Sequence, residues 1–379
     1  MLKILHTADV HIGAKLAWLG TKSDVQRNRI LGTFEKVVNI ALEKKVDVLL
    51  VAGDLFDSYN PDTISVAYVK NLFEKLALNH IYTIVIPGNH DRLEPASIYF
   101  DNSLKSNQYT RYVNTSGARV ITLPELGLDV YVYGISMQFG SDRPLAEVLK
   151  LFEQTNSRAK HNIALLHGSL ELASKDRTNF PISSEEIAGS HFDYIALGDW
   201  HSLLDVSRTV RAFYSGSPEL VGRAQTECGN VLLVQIDDAK TEVTPIKVGQ
   251  TFEKTFKFLL DKYEGDINQQ LIKEASAMQD INMVLTLELE GYHSVFENFK
   301  PDSIIDLIAD KFFFVDIKDN TQLRITEKDL EKYPESSLVG RYIKLVRAEM
   351  ENTTQEDERQ ILEKALYEGV SRIINSKHD

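Results

Sequence analysis

Residues with metal-ligand chemistry recur in this 379-residue chain at five places, each directly after a short β-branched or aliphatic run. Asp9-Val10-His11-Ile12-Gly13 follows LKILH, and Gly53-Asp54-Leu55-Phe56-Asp57 follows DVLLVA. Gly88-Asn89-His90-Asp91 comes after IYTIVI and Pro87, His167-Gly168 after ALL, and Gly198-Asp199-Trp200-His201 after YIAL. Carboxylate, amide oxygen and imidazole are the donors that divalent cations of the harder kind accept, and a carboxylate can bridge two of them. Two such ions about 3.5–4 Å apart activate a water and clamp the non-bridging oxygens of a phosphate. Glycines at 53, 88, 168 and 198 permit sharp turns and close approach of a phosphodiester. Taken singly, Asp9, Asp54 or Asn89 reads as a helix cap or turn residue, and His167 as a core histidine. The joint pattern points instead to metal-assisted phosphoester chemistry.

Elements able to bring these residues together are legible around them. Strand patterns cover Leu2–His6, Asp47–Ala52, Ile81–Ile86, Val120–Leu123, Asp129–Tyr133, Asn162–Leu166 and Tyr194–Leu197. Helical spacing covers Ser23–Lys45, Thr63–Leu78 and Leu145–Gln154, and Asn230–Ile236 with Glu242–Val248 reads as a closing hairpin. This alternation predicts a layered α/β domain with mixed sheets flanked by helices. In open α/β sheets ligand sites gather outside the carboxyl ends of strands, so all five segments are expected in one cleft. From Gly249 a β-α-β-α-β order predicts a small α+β domain, and from Glu327 the pattern becomes charged amphipathic helix. The expected division is 1–248, a catalytic domain; 249–320, a capping domain; and 321–379, a helical C-terminal region.

A net charge of −13 argues against a protein that holds nucleic acid through a broad basic surface, while leaving nucleic acid open as a substrate. A single cysteine suits a reducing compartment. No apolar run approaches the roughly 20 residues of a membrane span, and MLKILHTADV lacks a signal-peptide pattern. These features predict a cytoplasmic protein with no membrane partner.

DxHxG, GDxxD, GNHD, a strand-terminal histidine and a final GxxH, all in order, resemble the calcineurin-like metallophosphoesterases. Within that superfamily, LHTADVHIG, VAGDLFD, IPGNHDR and YSGSPE resemble the SbcD-type DNA repair nucleases, strongly over about residues 1–235. The resemblance implies a first ion on Asp9, His11 and His201, a bridging Asp54, and a second ion on Asn89 and His167. His90 would act near the leaving group as general acid or electrostatic stabiliser, with Asp57 orienting it. One position departs: the family usually has GHxH where this chain has Gly198-Asp199-Trp200-His201. Asp199 could replace the expected imidazole on the second ion, favouring manganese or magnesium, or point away and leave that site weak.

The implied cofactors are two divalent ions, manganese first and magnesium as the alternative. The implied activity is phosphodiester hydrolysis of DNA in repair, exonucleolytic with endonuclease activity, alongside an SMC-like coiled-coil ATPase of the SbcC type, often as a homodimer. Arg92, Lys15 and Trp200 are candidate substrate contacts, by charge to phosphate and by stacking on a base. Each has a bland reading: an ion pair for Arg92, a solvated helix face for Lys15, ordinary packing for Trp200. The alternative functions are a phosphoesterase of small phosphodiesters or nucleotides, and a partner-binding subunit with weakened catalysis. His6, His80, His161, His191, His293 and His378 lack supporting motifs and read as structural or surface residues.

Overall fold

Two six-stranded sheets, built where the β-branched runs of the first half predict strands, carry the segments singled out above. The computed structural model describes residues 1–101, 104, 108–123, 127, 129–136, 143–155, 159–171, 180–263, 265–293, 299–323, 325 and 327–375; His378 lies outside them. In chain order the first part comprises β1 (Leu2–Thr7), α1 (Ser23–Lys44), β2 (Val48–Ala52), α2 (Thr63–Leu78), β3 (Tyr82–Ile86), β4 (Thr110–Tyr112), β5 (Arg119–Thr122) and β6 (Val130–Gly134). It continues through α3 (Pro144–Thr155), β7 (His161–His167), α4 (Ser184–Gly189), β8 (Tyr194–Gly198), β9 (Leu204–Asp205), β10 (Ala212–Tyr214), β11 (Asn230–Ile236) and β12 (Thr241–Lys247). The first sheet runs β12-β11-β1-β2-β3-β4 and the second β5-β6-β7-β8-β10-β9.

The sheets face each other. Leu2, Ile4, Leu50, Ile84 and Leu232 of the first pack with Val132, Ile163, Leu165 and Ala196 of the second in one buried cluster. Strands buried on both faces read as continuous apolar runs, which is why β2 and β3 are so plain in sequence. Helices cover the outsides. Leu145 and Val148 of α3 and Ile187 of α4 cluster with Tyr133, Leu166 and Ile195, while α1 and α2 bury Phe34 and Phe73 in a T-shaped contact at 6.1 Å. Local signals fix helix ends: Asp62 caps α2 by accepting from Ile64 N and Ser65 N, and Ser183 with Glu186 forms a capping box on α4.

β1, β2 and β3 pair in parallel, as do β7 and β8. The expected mixed sheets are thus two, packed face to face, and the five donor-bearing segments leave both of them. β4, β9 and β10 escaped the sequence reading because strands of two or three residues are too short to show a period.

The chain divides into two compact units, Met1–Lys254 with Asn282–Val284, and Thr255–Ile281 with Leu285–Asp379. A three-stranded sheet orders β13 (Phe252–Leu259), β14 (Asp280–His293) and β15 (Phe312–Leu323) as β13-β14-β15, with α5 (Ile267–Ser276) and α6 (Pro301–Ile308) between them in sequence. The second unit then continues as α7 (Glu327–Leu330), α8 (Leu338–Asn352) and α9 (Glu356–Asn375). Val339 and Ile343 of α8 bury against Leu366 and Val370 of α9, whereas Leu345 and Ile361 are 71% and 66% exposed. Among the described residues no helix is long and apolar enough to cross a membrane.

Candidate metal centre

The turns that leave the strands are themselves unusual. Asp9, His11, Asp54 and Asp199 have φ of 53, 52, 50 and 96°, in the left-handed region that residues with a Cβ seldom occupy and that clusters at functional sites. Backbone bonds hold two of these turns side by side: Asp9 N donates to Gly53 O (3.1 Å) and His11 N to Asp54 O (3.0 Å). Glycines make room for the candidate donor side chains themselves. A Cβ on Gly53 would collide with the His167 imidazole, and one on Gly88 with the Asp54 carboxylate. At these two positions the space expected for a phosphodiester serves the protein's own donors.

Two donor groups meet at Asp54. In the first, His11 Nε2 lies 3.3 Å from His201 Nε2 and 3.5 Å from Asp54 Oδ2. Asp9 belongs to the same group: its oxygen, an imidazole nitrogen of His11 and one of His201 all lie within 4.8 Å of one another. In the second, His167 Nε2 lies 3.1 Å from Asn89 Oδ1 and 3.7 Å from both Asp54 Oδ2 and Asp199 Oδ1. Tautomers are set from behind, as ligating histidines require. His11 Nδ1 donates to Asp57 Oδ1 at 2.9 Å, and His167 Nδ1 to Ala52 O at 2.9 Å, which turns each Nε2 toward the carboxylates.

Electrostatics point the same way. Burial pushes Asp9 up to about 7, and the neighbouring Asp54 charge adds to it. Burial opposes a charge on His167, but Asp54, Asp9 and Asp199 outweigh it and raise its pKa to about 9. Burial, reinforced by His11, lowers His201 to about 3, leaving a neutral imidazole. A nest of mostly buried carboxylates on which imidazoles converge is compensated best by cations. The donor set therefore fits divalent metal ions.

His90 occupies a different position. Its backbone N–H donates to Asp54 Oδ1 (2.9 Å), and its Nδ1 lies 3.4 Å from Asp57 Oδ1. Asp57 thus serves two imidazoles, with the shorter contact to His11. Its hydrogen bond to Asp57 raises the pKa of His90 to about 9. Against the cost of burial, the bonds to His11 and His90 hold the Asp57 carboxyl well below the usual carboxylate range.

The candidate substrate contacts are arranged less uniformly. Trp200 is 47% exposed beside Asp199 and His201. Arg92 is turned to Glu94, with Nη2 2.7 Å from its Oε1, and its Nη1 donates to Asn89 O (3.3 Å). Lys15 is exposed, and its carbonyl accepts from Arg27 Nη1 (2.7 Å).

Three supporting residues were not singled out from sequence. Asp91 is fully buried; its carboxylate accepts from Gly88 N (2.6 Å), Phe56 N (3.2 Å) and Tyr99 OH (2.6 Å), tying the turn after β2 to the turn after β3. Its place in GNHD was the available signal. Gln225 Oε1 accepts from Val221 N and Gly222 N (3.1 Å each) while its Nε2 meets His201 Nδ1 at 2.5 Å, and Ser169 Oγ donates to Asp199 Oδ2. Neither carries a local motif.

Known proteins carry similar sequences. Residues 2–203 match the family model described as calcineurin-like phosphoesterase. The DNA double-strand break repair protein Mre11 of Methanosarcina mazei is 26% identical over 274 residues, covering 70% of this chain and 40% of that protein. The Mre11 of Methanosarcina acetivorans is 24% identical over 345 residues, covering 88% of this chain and 48% of its own length. The SbcD component of the nuclease SbcCD of Staphylococcus epidermidis is 28% identical over 233 residues, covering 57% of this chain and 61% of that protein. The chain spans about half the length of the two archaeal relatives it matches.

Proposed function

This chain belongs to the calcineurin-like phosphoesterase family, and from that premise we propose that it is a metal-dependent DNA nuclease using two divalent cations, manganese or magnesium. The observation that carries the reading is the shared carboxylate. Asp54 Oδ2 lies 3.5 Å from His11 Nε2 on one side and 3.7 Å from His167 Nε2 on the other, so one side chain joins two donor groups. Asp9, His11 and His201 would hold the first ion with Asp54, and Asn89, His167 and Asp199 the second with Asp54. When bound, the pair supplies Lewis acidity toward the phosphate and an activated water. Oxygen-rich donors beside imidazole favour manganese or magnesium over softer metals.

The rest of the chemistry belongs to the chain's own groups. His90 is the proton donor to the leaving oxygen: it is 45% exposed and placed by Asp54 and by Asp57, whose hydrogen bond favours its protonated form. Asp57 holds His11 and His90 in fixed orientation. Trp200 offers an exposed ring on which a base can stack. Residues 249–320 would contribute DNA binding and 321–379 partner docking. The relatives' names support DNA repair as the setting; the resemblance to the SbcD-type nucleases suggests an SMC-like coiled-coil ATPase as partner, with Leu345 and Ile361 the exposed apolar anchors of the tail.

The test is cleavage of end-labelled linear and hairpin DNA by the purified chain with manganese, against chelator-treated protein and Asp54→Ala. Metal-dependent cleavage lost in the variant supports the proposal. Hydrolysis of a small nitrophenyl phosphodiester with no cleavage of any DNA would select the small-substrate phosphoesterase instead.

A further inference from the structure

Asp199 stands where the family pattern leads one to expect an imidazole, and the structure holds its carboxylate from several sides. Its backbone is left-handed at φ 96°, and its N–H donates to Asp9 Oδ1 (3.0 Å) and Oδ2 (3.2 Å). Of its two carboxylate oxygens, Oδ2 accepts from Ser169 Oγ, and Oδ1 lies 3.7 Å from His167 Nε2. Ser169 is itself anchored. Its carbonyl accepts from Ile182 N (2.9 Å), and the preceding Gly168 donates to Gly198 O (3.1 Å). Gly168 O in turn accepts from Tyr214 OH (2.8 Å). The hydroxyl therefore projects from backbone fixed at three points, one of them on β8 immediately before Asp199.

An imidazole ligand offers one nitrogen and is oriented through the other. A free carboxylate offers two equivalent oxygens and rotates between them. A hydroxyl bound to one oxygen removes that freedom and leaves the other as the single donor, which reproduces an imidazole's one-point geometry with a harder atom. We propose that Ser169 is a positioning residue that fixes Asp199 as a one-oxygen ligand of the second cation, and that the Ser169–Asp199 pair sets that site's preference for hard ions. The proposal rests on the two-cation reading above.

The test uses the full chain and measures binding as well as turnover. Mn²⁺ and Zn²⁺ are titrated calorimetrically into metal-free protein, with metal content after dialysis as a second readout. Ser169→Ala should weaken the second Mn²⁺ by about 10–100-fold, the usual effect of losing a partner behind a ligand, and leave the first unchanged. Ser169→Thr, which keeps the hydroxyl, should recover most of that loss. In an Asp199→His background the second site should shift toward Zn²⁺, and Ser169→Ala should then change nothing, because the partner it acts through is gone. Undiminished second-site Mn²⁺ affinity in Ser169→Ala overturns the proposal, as does an equal loss in the Asp199→His background. Uptake of fewer than two Mn²⁺ by the wild-type chain overturns the two-cation reading, and this assignment with it.

Discussion

Glu219 and Asp54 are both almost wholly buried carboxylates of the first unit, each 1% exposed, yet their surroundings are opposite. Glu219 accepts from Thr251 N and Gln250 N at 2.9 Å each, from Leu220 N at 3.1 Å and from Thr33 Oγ1 at 3.0 Å. Gln26 Nε2 adds a longer bond at 3.4 Å. Donors surround it, and the charge is compensated by the fold. Asp54 receives the His90 N–H, but its charge bears on two further buried acids, raising the pKa of Asp9 and of Asp91 after burial has already done so. The first carboxylate ties α1 to the end of the β11–β12 hairpin; the second has charge left over for a ligand. Burial of an acid is thus no mark of function. What distinguishes a site is burial without a full complement of donors.

The largest effect that would break this contrast is on activity. Asp54→Ala should abolish phosphodiester hydrolysis and reduce bound metal while the circular dichroism spectrum is retained. Full turnover with unchanged metal content would remove Asp54 from the centre of the site.

His90 comes next, as the proposed proton donor beside the candidate ligands. His90→Ala should lower turnover about 10²–10⁴-fold, the usual worth of a general acid, with metal stoichiometry preserved. A variant that loses an ion would make His90 a ligand.

Stability then separates the two carboxylates directly. Glu219→Ala leaves several buried N–H donors unsatisfied and should cost about 3–5 kcal/mol, measured by denaturant unfolding with or without metal. Asp54→Asn should instead raise the melting temperature of metal-free protein by relieving repulsion, and forfeit the gain that metal gives the wild type. A metal-free Asp54→Asn protein that melts well below the wild type would place Asp54 in Glu219's category.

An effect confined to acid pH comes from a buried base. His6 bonds through Nδ1 to Tyr194 OH at 2.9 Å, and burial lowers its pKa from 6.5 to about 3. The folded state thus disfavours its charged form, so its contribution is fully present above pH 6.5 and is lost as pH falls from there toward 3. His6→Phe should flatten the acid limb of the stability curve of metal-free protein over that window. An unchanged limb would assign acid sensitivity to other groups.

What the sequence determined by itself was local and periodic. β2 is apolar throughout, and β3 apart from Thr83, because both faces are buried, so their limits could be read to within a residue from composition alone. Polar ligand types placed immediately after such runs made Asp9, Asp54, Asn89, His167 and His201 stand out, since a strand end is where a side chain can leave the core. Tertiary structure decided the rest. That the ligand turns leave two facing sheets follows from strand order, which no local pattern encodes. Asp57 reaches His11 as well as His90 because the turns after β1 and β2 bond to each other. Gln225 meets His201 from 24 positions further along the chain, and Ser169 meets Asp199 from 30 positions away. Such partners are chosen by distance in space, where one serine or glutamine is chemically like any other, and only the folded backbone singles them out.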